Sequence, residues 1–138
     1  MIDLAHLAVL DGQVGPMPLP APGQHTAAAT PDGTVAVTID GTGTLRVWRP
    51  ADLEVASTLD GQLERAKLLA IDPAGRRAAG AAGCAVRLWD LTGARPRTMA
   101  EFVADQAVAA IALPGAGGLD LVAGDVGGAL HRLRLIGP

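Results

Sequence analysis

Cysteine occurs once, at Cys84, so no disulfide can form within the chain. Asparagine is absent, which removes any N-glycosylation acceptor, and tyrosine is absent too, leaving Trp48, Trp89 and Phe102 as the aromatic side chains. Lysine also occurs once, at Lys67, and 11 basic against 14 acidic residues give a formal charge of −3. No cluster of Lys and Arg is available to follow a phosphate backbone, so nucleic acid is not an expected partner. No apolar run is long enough to cross a bilayer, and the first ten residues, with Asp3 and His6 and no positive leader, do not read as a secretory signal. The expectation is a cytoplasmic protein with no membrane partner.

What is present is a small-residue β sequence. Apolar residues make up 49% of the 138 positions, so the core must be built from Ala, Val, Leu and Ile, and the length suits a single domain. The 18 glycines and 10 prolines fall between short apolar runs, without a fixed short period. That pattern predicts many short strands joined by tight turns.

The runs repeat. Pro31-Asp-Gly33 matches Pro73-Ala-Gly75 and Trp48 matches Trp89, with offsets near 40, while Asp52-Leu53 and Leu59 to Gln62 repeat Asp3-Leu4 and Leu10 to Gln13. A third, degraded copy runs from Ile111 through Gly127-Gly128 to Leu133, which stands where a Trp is due. Four runs per unit of this length predict one four-stranded propeller blade. The first unit reads as His6–Leu10, His25–Ala29, Val35–Ile39 and Thr44–Trp48. The second reads as Glu54–Leu59, Lys67–Ile71, Arg77–Ala81 and Ala85–Trp89. The third reads as Thr98–Val103, Val108–Leu113, Asp120–Ala123 and Ala129–Leu135.

GTLRVWR at 43–49 and GCAVRLWD at 83–90 carry a specific resemblance. The chain resembles the WD40 repeat family over residues 1–138, with repeats at about 3–49, 52–90 and 97–135. The resemblance implies an all-β, β-propeller-type fold of three four-stranded antiparallel blades forming part of a ring. It also implies that each repeat begins with the outer strand of one blade and continues with the inner strands of the next. Trp89-Asp90 matches the family's closing dipeptide, Trp48-Arg49 keeps the Trp, and Leu133-Arg134 keeps neither. The family's Gly-His pair is replaced by Gly12-Gln13 and Gly61-Gln62, and its Asp six residues before the Trp by Thr42 and Gly83. The buried His–Asp network of the family is therefore not expected, and ladder hydrogen bonds with apolar packing are expected to hold the blades.

Three blades span at most about half of a ring of six or seven. Open edge strands at both ends would then pair with another chain, as a homo-oligomer or with a companion half-ring, or within a longer propeller.

Catalytic patterns are missing. Ser57 lies on a predicted strand without a glycine elbow, and Cys84, following a turn glycine, reads as a small buried filler. His6, His25 and His131 fall on separate units with no metal-type spacing, and the glycine-rich stretches lack the strand–loop–helix context of a nucleotide site. No cofactor or metal is expected. The prolines of Gly15 to Gly23 predict an extended surface arm. The loops and inner turns of a propeller gather on one face, which here would collect Asp40, Glu64, Arg65, Asp105, Gln106 and Asp125 as a partner-binding surface, with Trp48, Trp89 and Asp90 structural. The expected function is a non-catalytic protein-interaction scaffold or regulatory module. The competing class is a ligand-binding or enzymatic propeller with its site in the central channel, which would need polar innermost strands.

Overall fold

The computed structural model describes residues 25–49, 54–93, 95–114 and 121–134. The predicted first strand, His6–Leu10, and the proline arm lie outside the described residues. Eleven strands form among those described: β1 His25–Ala29, β2 Ala36–Asp40, β3 Leu45–Arg49, β4 Glu54–Leu59, β5 Leu68–Ile71, β6 Arg77–Ala82, β7 Ala85–Asp90, β8 Arg97–Val103, β9 Val108–Ala112, β10 Leu121–Asp125 and β11 Leu130–Leu133. Each predicted run that falls there forms a strand, with ends shifted by a residue or two.

The strands build three antiparallel sheets in the orders β1-β2-β3-β4, β5-β6-β7-β8 and β9-β10-β11. The innermost strands pack in sequence, β1 against β5 and β5 against β9, which sets the sheets radially as blades. Strand β4 opens the second sequence repeat yet pairs with β3 of the first blade, and β8 opens the third repeat yet pairs with β7. This is the repeat phase that the WD40 resemblance implied. It ties adjacent blades together, because each outer strand belongs by sequence to the repeat that builds the next blade. No fourth strand pairs with β11 among the described residues.

Alternation decides which blade each side chain meets. Val37, Ile39 and Leu45 of the first blade are buried against Ala78 and Trp89 of the second. On the other face of the second blade, Ala79, Ala81, Val86 and Leu88 pack on Leu113 and Leu121 of the third. The third-strand residue at the Trp position thus faces the preceding blade. Gly80 makes room for it, since a Cβ there would come within 3.0 Å of the Trp89 ring. Leu133 holds the same place in the third blade, packed into the second core cluster.

A bulge precedes the Trp position in both complete blades. Register slips between Val47 and Trp48 against β4, and between Leu88 and Trp89 against β8, so the outer strand carries one extra residue each time, Ala56 and Met99.

Candidate functional site

The turn and loop face is built from Asp-capped hairpins and the loops that cross them. In the first blade, Asp40 begins a three-residue turn ending at Gly43, whose φ of 88° closes it. The Asp40 Oδ1 atom accepts from the Thr42 amide at 3.0 Å, the Thr42 hydroxyl at 2.6 Å and the Thr44 amide at 3.2 Å. Its Oδ2 atom meets the Arg46 guanidinium at 2.8 Å. Burial acts to raise the Asp40 carboxyl, but these hydrogen bonds outweigh it and hold the group below the ordinary aspartate range.

The third blade repeats this chemistry. Asp125 accepts from the Gly127 and Ala129 amides at 2.9 and 3.0 Å and meets His131 Nε2 at 2.9 Å, with Gly128 at a φ of 90° in the place of Gly43. The His131 contact, then the Ala129 amide, lower the Asp125 carboxyl. His131 also lies against the Phe102 ring of the second blade, with centroids 5.1 Å apart.

The second blade lacks the acid. Ala82 and Ala85 pair directly, Gly83 and Cys84 form a two-residue turn, and Gly83 carries the positive φ of 57°. Cys84 is a half-buried turn residue and not the buried filler expected from sequence. Arg87 stands where Arg46 and His131 stand, and without a turn aspartate it binds Glu101 on β8 and Gln62 Oε1 at 3.2 Å. Its Nε atom is buried without a partner.

Side-chain hydrogen bonds to the Trp rings add to the ladder hydrogen bonds and apolar packing expected from sequence. Trp48 Nε1 donates to the Thr38 hydroxyl at 2.9 Å, and Trp89 Nε1 to Gln62 Oε1 at 3.4 Å. Gln62 Oε1 also accepts from the Thr98 hydroxyl at 2.8 Å. Gln62, read in the sequence as the loss of a family histidine, therefore supplies a substitute acceptor from the same loop.

The candidate residues divide into two kinds. Asp40 is 3% exposed, and the Asp125 side chain also 3%, so both are internal turn caps and do not present the free carboxylates a partner would meet. Glu64, Arg65, Asp105 and Gln106 are exposed. The loop carrying Glu64 and Arg65 lies on the first blade's turn: the Gln62 amide donates to Gly43 O at 2.8 Å and the Arg65 amide to Gly41 O at 3.2 Å. Arg65 has a φ of 58°, the one positive value at a non-glycine among the described residues. The loop carrying Asp105 and Gln106 lies between two turns, with Ala104 and Val108 amides on Cys84 O and Gly83 O, and the Val126 amide on Ala107 O. The structure brings these loops and turns to one face, as the propeller reading implies.

Trp89 and Asp90 hold the second blade from within. Asp90 accepts from the Thr92 hydroxyl and amide at 2.6 and 2.8 Å and pairs with Arg97 at 3.0 Å, and Thr92 first, then Arg97, lower its carboxyl. In the first blade the cross-strand positions are reversed in charge: Arg49 is in register with Glu54 where Asp90 is in register with Arg97. Among the described residues no group of three or more His, Cys, Asp or Glu converges as a metal site.

No family model matches the chain, and no curated protein matches it. Among solved structures it is similar to the β-propeller domain of Cps50 (Swd1) from Myceliophteria thermophila, at 20% identity and a TM-score of 0.71. The likeness covers 87% of this chain and 36% of that one, so the chain spans about a third of that propeller's length. The fold is that of β-propeller blades.

Proposed function

We propose that the chain is a non-catalytic protein-interaction module: a three-blade propeller segment whose ring is completed by further blades, contributed by another chain or by the rest of a larger propeller. One observation carries this reading. Leu45, Val86 and Leu130 hold the same place in blades one, two and three, each across the second strand from Ile39, Ala81 and Gly124 respectively. Leu45 is fully buried and Val86 2% exposed beneath the next blade, whereas Leu130 is 66% exposed. Around Leu130 the face continues through Ala110, Ala112 and Arg132, all exposed. An apolar position that two blades bury completely, left open on the third, is the chemistry of an interface awaiting a partner.

The innermost strands support recognition by faces and loops over channel chemistry. HTAAA, LLAI and VAAIA offer mostly small or aliphatic side chains where a channel site would need convergent polar groups.

Light scattering at micromolar concentration tests the assembly. The expected mass is a multiple of one chain. A folded species of single-chain mass, with freely exchanging amides over Leu130–Leu133, overturns the reading.

A further inference from the structure

The face of the third blade turned away from the second differs in chemistry from the two faces that are covered. Leu130 and Arg132 on β11 stand in register with Gly124 and Val122 on β10, and these with Ala110 and Ala112 on β9. The same places hold Leu45 and Val47 beside Ile39 and Val37 in the first blade, and Val86 and Leu88 beside Ala81 and Ala79 in the second. Both covered faces are apolar there: Val47 packs on the first core cluster, and Leu88 is 4% exposed in the second. On the third blade two places change character. Arg132 replaces the aliphatic residue, and Gly124 stands where Ile39 and Ala81 stand, with nothing within 4 Å of an added Cβ. Leu130, Arg132, Ala110 and Ala112 are all exposed in the folded chain.

We propose that this face receives a blade that sets a carboxylate against Arg132 and a bulky apolar side chain over Gly124. The proposal rests on the reading of the chain as a propeller segment completed by further blades, and names the chemistry of the blade that comes next. Both covered faces show what seats at this place, since each is closed by the following blade. A guanidinium shut beneath an apolar blade would lose its hydration without return, whereas a carboxylate opposite it restores the charge balance and accepts two parallel hydrogen bonds. The floor at Gly124 and Ala110 is lower than the floor at Ile39, so covering it at interior density takes a side chain that protrudes. Ala78 and Trp89 cover the first blade, and Leu113 and Leu121 cover the second. Neither set offers an acid, so the blade that fits here is not a repetition of the second or third, and the charge at one position makes the choice.

Sedimentation equilibrium of the full chain, in about 0.05 M and about 0.5 M salt, tests this. Arg132→Leu restores the aliphatic residue of the first two blades. It is expected to weaken association about tenfold or more and to remove its salt dependence, while Arg132→Lys, which keeps the charge, is expected to lose less. Gly124→Ile, for which the chain has room, is expected to weaken association about tenfold by filling the seat of the incoming side chain. Circular dichroism checks that each variant is folded. An Arg132→Leu chain that associates as tightly as the unaltered one, or tighter, overturns the proposal, because the next blade then presents an ordinary apolar face. Association of the unaltered chain that is indifferent to salt, or unmoved by Gly124→Ile, overturns it as well. A single-chain mass for the unaltered chain overturns the assembly reading, and the Arg132 pairing falls with it, whereas association that survives Arg132→Leu overturns the pairing alone.

Discussion

Asp40 and Arg46, six residues apart, form an ion pair at 2.8 Å across the β2–β3 turn, and Asp125 and His131 hold a hydrogen bond in the same place, at 2.9 Å, across the β10–β11 turn. The carboxylate in each case also closes the turn, so one side chain sets both the backbone and the neighbouring strand. In the first blade, Asp40→Ala leaves two amides, a hydroxyl and a half-buried guanidinium without their acceptor. The expected loss is about 2–4 kcal/mol in denaturant unfolding. Asp40→Asn retains one acceptor oxygen and is expected to cost less.

Acid should weaken all three blades through the same groups. The carboxyls of Asp40, Asp90 and Asp125 lie below the free value of 3.8 in the folded chain. A depressed carboxyl contributes stability that is complete above its unfolded pKa and is lost as pH falls through the folded value. Melting temperature is therefore expected to hold steady from pH 7 to about 5 and to decline below about pH 4. Asp40→Asn should flatten part of that decline, which thermal melts across the range would show.

Gly43 and Gly33 separate two costs of a side chain at positive φ. A Cβ at Gly43 would sit 2.8 Å from the Leu63 backbone, whereas at Gly33, φ 74°, it would meet nothing within 4 Å. Gly33→Ala is expected to cost about 1 kcal/mol from conformation alone. Gly43→Ala should cost at least twice as much, because the 62–65 loop has to lift off the turn, and hydrogen exchange at Gln62 and Arg65 should rise with it.

Trp89 joins the first two blades, and Gln62 orients its indole. Trp89→Ala is expected to cost about 3–5 kcal/mol, the usual range for an emptied aromatic site. Gln62→Ala should cost about 1–2 kcal/mol, since Trp89, Thr98 and Arg87 all lose an acceptor. Chemical denaturation of the two variants checks the order.

Leu45 and Leu130 should respond oppositely to charge. Leu45→Glu places a carboxylate in the first core and is expected to prevent folding. Leu130→Glu should change unfolding free energy by no more than about 0.5 kcal/mol while abolishing association, measured by light scattering.

Much of the fold was legible because period-2 alternation and repeat spacing are local properties. The strand runs follow from them, whereas the repeat phase came from the WD40 resemblance and the facing position of Trp89 from the structure. The roles of Asp40 and Asp125 were not legible as caps. A family pattern places an aspartate six residues before the Trp, whereas these stand eight before Trp48 and eight before Leu133, where only the three-residue turn geometry explains them. Gln62 was equally hidden, because its acceptor meets Trp89, Thr98 and Arg87 from three separate segments. The cross-strand charge reversal of Arg49 and Glu54 relative to Asp90 and Arg97 became visible only with the bulged register known.

The amino-acid sequence by itself determined that the chain forms short strands, that they come in blades and that the Trp position decays from Trp89 to Leu133. Those outcomes depend on alternation, glycine placement and spacing along the chain. Tertiary structure decided which equivalent residues are covered. Leu45, Val86 and Leu130 are much alike as residues, and only the presence of a next blade over the first two separates a core position from an open face. It also decided that Trp89 is fully enclosed while Leu133 at the same place in the third blade is half-buried, because packing density is a property of facing sheets and not of any strand alone.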